Sequence, residues 1–227
     1  MREPTVPAGD SRSVNRPWVR VVATLAVCGG MALAVDLPLS RWCVAGGLRG
    51  LHRFLEQVEP FGQPPGVVII CLALWLCGAS SGRDAFRIAV AAIGSGLSAD
   101  VLKLIWARAR PYHFFEGIEG DLSLTVFDTF RGWFPLLSGG SRLQGCPSAH
   151  TAFVTGFCVA LSQFFPRGRV LFAVVASLVA LQRIEGGAHF LSDTLWGGAV
   201  GYGIAHLWLQ ATRRSTREAA VDSTPGD

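Results

Sequence analysis

Three short groups of polar residues contain the side chains of this sequence that can do chemistry. Each group sets cationic, hydroxyl or imidazole side chains at a fixed spacing and borders an apolar run. Ionisable groups at the ends of apolar runs are costly unless they face a polar interior or a wet cavity, so we expect them to be functional. The groups are Lys103-x6-Arg110-Pro111, Pro147-Ser148-Ala149-His150 and Arg183-x5-His189-x3-Asp193.

The cationic side chains are suited to bind phosphate. Arg110 and Arg183 can each donate two parallel hydrogen bonds to two oxygen atoms, and Lys103 adds a compact charge. Ser148 adds a hydroxyl donor at the start of the next predicted helix. Free backbone N–H groups and the positive end of a helix dipole also favour an anion there. These four residues predict an oxyanion site.

The imidazole side chains can provide a nucleophile and an acid. His189 and Asp193 are four residues apart and share one face of a helical turn, so the carboxylate can fix the tautomer of the ring. The opposite ring nitrogen then stays free to attack phosphorus. His150, on another helix, can protonate the departing oxygen. This set predicts phosphoryl transfer through a phosphohistidine, with cations in place of a metal ion.

The elements that must position these groups are apolar. Of the 227 residues, 50% are hydrophobic and only 16% are charged, against about 25% charged in ordinary soluble domains. A net charge of +4 with scattered arginines argues against nucleic-acid binding, and the apolar content excludes disorder for most of the chain. Six apolar runs predict an all-α polytopic membrane protein with a six-transmembrane-helix bundle. The runs lie near 18–35, 61–82, 88–106, 146–166, 170–182 and 194–212.

The arginines predict how this bundle is oriented. Both ends of the chain and two short connections, at 83–87 and 167–169, are rich in arginine, and positive residues in short loops stay cytoplasmic. We therefore expect both termini in the cytoplasm and the long loops 37–64 and 107–146 outside. This places the active site on the outer face of the cell membrane, the inner membrane of a bacterium. Four arginines lie on that outer side against the rule, which invites a functional explanation: Arg108, Arg110, Arg131 and Arg142.

The two ends of the chain are polar and rich in Ser, Pro and Arg. This composition predicts disordered cytoplasmic tails at 1–16 and 213–227 around a membrane domain at 17–212. An alternative for the front is a cleaved signal, because Ala32-Leu33-Ala34 follows a basic and an apolar segment. A disulfide between Cys43 and Cys146 is a further open alternative, since both are predicted to lie outside.

In this order, the three groups resemble the signature of the type 2 phosphatidic acid phosphatase superfamily, integral membrane phosphatases that act on lipid phosphates. The resemblance covers roughly residues 60–205. It implies that His189 is the nucleophile, Asp193 its partner and His150 the acid for the leaving group, with no metal or other cofactor. It also implies phosphate binding by Lys103, Arg110, Ser148, Ala149 and Arg183.

Two positions depart from the pattern of that family. Ala149 stands where Gly is usual, which keeps the backbone donor but narrows the space, and Gln182 stands where Ser often precedes the arginine. Neither change removes a catalytic group, so we expect an active enzyme.

The expected function is that of a membrane-embedded lipid phosphatase whose partners are a lipid phosphate and the surrounding membrane lipids. Phosphatidic acid, phosphatidylglycerol phosphate, undecaprenyl diphosphate and lipid A all present suitable oxygens. One alternative is a phosphotransferase that moves lipid phosphate to another acceptor. Another, from a different class, is a proton-coupled transporter with a relay through Asp100, Lys103, Arg183 and His189. Such a relay would need polar residues at several membrane depths, whereas these groups concentrate at one face.

Overall fold

The computed structural model describes residues 17–116, 118, 121–136 and 139–222, and the predicted tail at 1–16 lies outside this part. Eight α-helices occur in the described residues, joined by 3-10 turns. The helices are α1 (Pro17–Val44), α2 (His52–Glu56), α3 (Pro64–Leu76), α4 (Gly82–Leu102), α5 (Pro111–Phe114), α6 (Ala149–Phe164), α7 (Arg169–Glu185) and α8 (Leu191–Asp222). The 3-10 turns are Arg49–Leu51, Glu59–Gly62, Val126–Thr129, Gly140–Leu143 and Pro166–Gly168.

Six of these helices, each of 13 residues or more, overlap the six apolar runs within the described chain. By length and composition, α1 and α4 are the helices in this part that can cross a membrane, whereas α3 and α6 are shorter apolar helices. The fold is therefore mostly helical, as the apolar runs predict.

A small sheet corrects the prediction of an all-α chain. Strand β1 (Trp106–Arg108) pairs with β2 (Phe130–Trp133) in antiparallel fashion within the long connection between α4 and α6. Aromatic residues favour an extended chain, and Trp106 lies opposite Trp133. Segments of three and four residues show too few alternations for a strand period to be recognised in the sequence.

Helix α8 extends past residue 213, where the sequence predicted the start of a disordered cytoplasmic tail. The helix continues through Asp222, and residues 223–227 after it lie outside the described part. Adding residues to an existing helix avoids the cost of nucleation, and the segment after Thr212 is rich in Arg, Glu and Ala, which are good helix formers.

Helix α6 lies at the centre of the bundle and packs against α4, α7 and α8. Helices α6 and α8 approach closely because glycines of α8 face α6. A Cβ atom on Gly201 would lie 2.2 Å from the carbonyl oxygen of Ala152, and one on Gly197 would lie 2.4 Å from that of Ser148. Small residues allow two helix backbones to approach in this way. The start of α6 is thereby held against the start of α8.

Helix α1 packs along α8, where the indole Nε1 of Trp196 donates a hydrogen bond of 3.1 Å to the carbonyl of Ala26. It also brings the buried Asp36 to the beginning of α8. Cys43, near the end of α1, and Cys146 are both free thiols, so the disulfide considered from the sequence is absent from the described chain.

Candidate active site

The three polar groups meet at one end of the bundle. The first follows the C-terminal end of α4, the second begins α6, and the third runs from the end of α7 into α8. His189 lies in the connection between α7 and α8 and is only 1% exposed. Charges on Arg110, Lys103 and His150 act on its ring. His150 in turn lies in the field of Arg183, Lys103 and Arg110. The structure thus gathers the predicted imidazoles and cations around one point.

The protonation state of His189 follows from this position. Burial lowers its pKa well below the ordinary value, and the positive charges of Arg110 and Lys103 lower it further. A hydrogen bond to the carbonyl of Gly145 acts in the opposite direction but does not offset the burial. The ring is therefore neutral at neutral pH.

Gly145 fixes the tautomer of His189. Nδ1 lies 2.6 Å from the Gly145 carbonyl oxygen, which can only accept, so Nδ1 carries the hydrogen and Nε2 has an unshared electron pair. The sequence predicted Asp193 for this role, but its Oδ2 is 3.9 Å from Nδ1, beyond hydrogen-bond length. The correction has a clear cause, because both oxygens of Asp193 already accept other hydrogen bonds.

Asp193 is fully buried and accepts hydrogen bonds on both carboxylate oxygens. Its Oδ2 accepts one of 2.8 Å from the backbone N–H of Phe190, and its Oδ1 accepts one of 2.5 Å from Nη1 of Arg108. The first of these closes the turn that contains His189. Asp193 thereby shapes the loop around the ring.

Arg108 is the main residue that the predicted site left out. It is 0% exposed and also donates to Oδ2 of Asp36 at 2.7 Å, Oγ of Ser192 at 2.6 Å and Oγ1 of Thr129 at 3.1 Å. Its guanidinium lies 4.7 Å from the ring centre of Phe130 and 4.5 Å from that of Phe190. The sequence signal for Arg108 was its position in a predicted outer loop, where the positive-inside rule disfavours arginine. No spacing rule linked it to Asp36.

The three predicted cations have partners near the surface of the site. Arg183 donates from Nη2 to Oε1 of Glu59 at 2.7 Å, and Lys103 donates to Oδ1 of Asp100 at 2.8 Å. Arg110 donates from Nε to the carbonyl of Ser141 at 2.8 Å. The side chains of Glu59 and Asp100 are 31% and 56% exposed. Each of the three cations thus already donates to an oxygen atom of the protein.

Ser148 and Ala149 begin α6 beside these cations. Ser148 is the N-cap, and its Oγ accepts hydrogen bonds from the backbone N–H and the hydroxyl of Thr151 at 3.4 and 3.0 Å. Its own backbone N–H donates to the carbonyl of Asp193 at 3.0 Å, so it is not available to a ligand. Ala149 and His150 line a cavity of about 180 Å³ together with residues of α3 and α4.

Metal ligands do not cluster in the described part of the chain, where no three His, Cys, Asp or Glu side chains are grouped for coordination. The arrangement that is present can instead bind an oxyanion through three cations and present a neutral imidazole to it.

Comparison with known proteins relates this site to a family. The family model of the PAP2 superfamily matches residues 84–217. The lipid A 1-phosphatases of Rhizobium etli and Rhizobium johnstonii are each 37% identical over 107 residues, which is 47% of this chain and 41% and 39% of theirs. The matched segment therefore spans about two fifths of the length of these curated relatives.

Two solved structures share the fold. The transmembrane PAP2-type phosphatidylglycerolphosphate phosphatase of Bacillus subtilis matches with a TM-score of 0.56 and 18% identity, over 87% of this chain and 95% of the other. LpxE of Aquifex aeolicus matches with a TM-score of 0.58 and 19% identity, over 78% and 95%. The resemblance seen in the sequence is confirmed, because the family model covers more than half of the chain: the protein belongs to the PAP2 superfamily.

Proposed function

We propose that this protein is a membrane-embedded phosphatase that hydrolyses a phosphomonoester or diphosphate of a lipid. The observation that carries the proposal is the state of His189, a buried neutral ring whose Nδ1 hydrogen is donated to Gly145. Its Nε2 is therefore a nucleophile, and the cations Lys103 and Arg110 that act on the ring are those that would hold the phosphate.

The reaction proceeds in two halves. First, Nε2 of His189 forms a bond to phosphorus while the bond from phosphorus to the lipid oxygen breaks, and that oxygen takes a proton from His150. Water then attacks phosphorus and returns a proton to His150, and the N–P bond breaks to release inorganic phosphate. Lys103, Arg110 and Arg183 hold the phosphate oxygens throughout, so the proposed mechanism needs no metal ion.

Asp193 supports this cycle without a direct hydrogen bond to the ring. The ring becomes positively charged when Nε2 bonds to phosphorus, and the carboxylate at 3.9 Å attracts that charge. Arg108 balances part of the negative charge of Asp193.

The same proposal includes the membrane. In this proposal the six helices of 13 residues or more are embedded together as a bundle in the membrane, with both termini in the cytoplasm and the phosphate site at the outer face. Side chains on α3 support a lipid-facing surface, since Ile69 and Leu76 are 67% and 69% exposed, and a water-soluble protein avoids large apolar patches. The length of α1 and α4 also fits a bilayer.

The substrate class that we propose first is a phosphate of the lipid A type, because both curated relatives are named lipid A 1-phosphatases. Phosphatidic acid, phosphatidylglycerol phosphate and undecaprenyl diphosphate form the comparison panel. Inorganic phosphate released from each lipid by the purified protein in detergent micelles measures the preference.

The decisive variant is His189→Ala, which we expect to abolish phosphate release while the protein still folds. His206→Ala is the matched control, because His206 packs against Tyr202 and Trp18 in the bundle and lies outside the proposed site. Turnover that persists in His189→Ala would refute the assigned nucleophile. Strict dependence on an added divalent ion after chelation would refute the metal-free mechanism.

A further inference from the structure

Asp36 is a buried carboxylate that the proposed mechanism does not use. It lies on α1, outside the three polar groups of the sequence, and is 0% exposed. Its Oδ1 accepts a hydrogen bond of 3.0 Å from the backbone N–H of Ser192, in the first turn of α8. Its Oδ2 accepts from Oγ of Ser192 at 2.5 Å and from Nη2 of Arg108 at 2.7 Å. Asp36 thus joins α1 to the start of the helix that follows His189.

Asp36, Arg108 and Asp193 form a cluster, which we call the buried charge cluster, with two negative charges and one positive charge. All three side chains are 0% exposed. Each of the four carboxylate oxygens accepts a hydrogen bond, from Arg108, from Ser192 or from the backbone N–H of Phe190, and such bonds favour the ionised form. One guanidinium cannot cancel two carboxylates, so the cluster keeps one net negative charge without exposure to solvent.

The surplus negative charge lies beside the nucleophile. Oδ2 of Asp193 is 3.9 Å from Nδ1 of His189, and an opposite charge within about 4 to 6 Å favours the charged form of a group. The ring of His189 is neutral before the reaction and becomes positive when Nε2 bonds to phosphorus. The surplus is therefore uncompensated in the free enzyme and compensated in the phosphoenzyme. An interaction that is stronger after the attack than before it lowers the barrier.

Asp36 maintains this surplus because it makes Arg108 divide its charge between two carboxylates. Nη1 of Arg108 donates to Asp193 at 2.5 Å, and Nη2 donates to Asp36 at 2.7 Å. Without the second carboxylate, the guanidinium would neutralise Asp193 alone and the negative field at His189 would fall. The fold would still contain a matched buried pair of Arg108 and Asp193, so the charge of Asp36 is not needed to balance it.

We propose that Asp36 is a positioning residue for the phosphatase reaction that acts through Arg108: it shares the charge of that arginine and so leaves Asp193 able to stabilise the phosphorylated ring of His189. The inference rests on the proposed function. It gives α1 a part in the chemistry, although the residues that hold the phosphate in the proposed mechanism lie on other segments.

The variant Asp36→Asn tests the proposal by kinetics, since it removes one negative charge and keeps the size of the side chain and one acceptor oxygen. We expect kcat for lipid phosphate to fall about 10- to 100-fold, the effect of one opposite charge at this distance. KM should change by less than about threefold, because the lost interaction belongs to the transition state. The midpoint of thermal unfolding should move by less than about 4 °C, since one carboxylate remains for the arginine.

Two further variants separate charge from structure. Ser192→Ala removes a hydroxyl that bonds both Asp36 and Arg108 but leaves every charge in place, so kcat should fall by less than about threefold. Asp84→Asn makes the same chemical change as Asp36→Asn in the first turn of α4, about 28 Å along the helix from Lys103, and should leave kcat unchanged.

Binding of small anions tests the same charge without turnover. Inorganic vanadate can form a fifth bond to a nucleophile and so mimics the transition state, whereas inorganic phosphate binds only as an ion. Titration calorimetry with both anions gives the preference of the protein for vanadate. We expect this preference to fall about tenfold or more in Asp36→Asn and to stay unchanged in Asp84→Asn.

The outcomes separate this proposal from the proposed function. The role of Asp36 would be overturned if Asp36→Asn keeps its kcat, loses no more than Ser192→Ala does, or no longer folds. If the wild-type protein releases no phosphate from any lipid but its preference for vanadate depends on Asp36, the proposed phosphatase is overturned and the coupling of Asp36 to His189 is supported. Wild-type protein without turnover and without that preference would overturn both.

Discussion

Two arginines near the site, Arg108 and Arg183, have the same side chain in opposite surroundings. Arg108 is 0% exposed and contacts two carboxylates that are themselves fully buried, Asp36 and Asp193. Arg183 is 12% exposed at its side chain and pairs with Glu59, which is 31% exposed. Removing one partner of a buried ion pair leaves a charge that water cannot reach. In a more exposed pair, another anion can replace the acidic partner.

This contrast divides the cations by task. Arg108 has no room for a phosphate because both of its carboxylate partners and two aromatic rings enclose it. Lys103 and Arg183 instead pair with carboxylates that are partly exposed, Asp100 and Glu59, and Arg110 donates to a backbone carbonyl, so in our proposal these three cations can turn to a phosphate. Counting the cations near a site therefore overestimates how many of them can bind the substrate. Whether the partner of a cation is buried distinguishes a structural cation from one that can bind a ligand.

The largest expected effect is on stability. Arg108→Met should lower the free energy of unfolding by about 3 to 5 kcal/mol, because Asp36 and Asp193 are then left buried without a cation. Arg183→Met makes the same chemical change at the edge and should cost less than about 1 kcal/mol. Unfolding in detergent micelles, followed by circular dichroism, measures both. Equal losses for the two variants would break the comparison.

The second prediction concerns activity, for which we expect Arg183 to matter more than Arg108, the reverse of their order for stability. Arg183→Met should lower kcat/KM for lipid phosphate roughly 100- to 1,000-fold, since an electrostatic donor to the reacting phosphate is lost. Steady-state phosphate release at matched folded protein concentration gives the value. A decrease of only a few fold would mean that Arg183 serves Glu59 and the fold more than the substrate.

A third effect concerns pH. His189 must be neutral to attack, and its lowered pKa places the acid limb of the kcat/KM profile below the ordinary histidine value of about 6.5. Arg110→Gln removes a positive charge that disfavours the protonated ring, so the pKa of His189 rises and the acid limb moves to higher pH. The two profiles are recorded on one substrate, so that ionisation of its phosphate is common to both. A limb that stays in place or moves to lower pH would contradict the assigned charge coupling.

The smallest effect tests whether the edge partners are exchangeable. Glu59→Gln weakens the internal competitor for Arg183 and should improve inhibition by inorganic phosphate up to about fivefold, the equivalent of an exposed ion pair. Glu116→Gln, far less buried, should leave the inhibition constant unchanged. Weaker phosphate binding in Glu59→Gln would show that Glu59 orients Arg183 for the substrate.

The sequence pointed to the polar groups of this candidate site because phosphoryl transfer requires particular side chains at fixed spacings. The four-residue spacing of His189 and Asp193 predicted that the carboxylate fixes the ring tautomer, but it could not reveal that Arg108 and Phe190 already donate to both carboxylate oxygens. Asp36 and Arg108 are 72 residues apart, so only tertiary packing joins them. The apolar runs likewise predicted the long helices, whereas strands of three or four residues are decided by cross-strand partners that a local pattern does not contain.

The Nδ1 hydrogen of His189 is donated to a backbone carbonyl, and this limits which substitutions can change the tautomer of the ring. Gly145 has no side chain that truncation could remove, and its backbone N–H donates to the carbonyl of Arg108 at 2.9 Å. A methyl group added at Gly145 would lie 2.8 Å from that same carbonyl oxygen, too close for real atoms. Even alanine at this position would therefore force the backbone that carries the acceptor, or the strand beside it, to shift. An alanine scan, which leaves native alanines and often glycines untouched, would pass over the one atom that decides which nitrogen of the nucleophile is free.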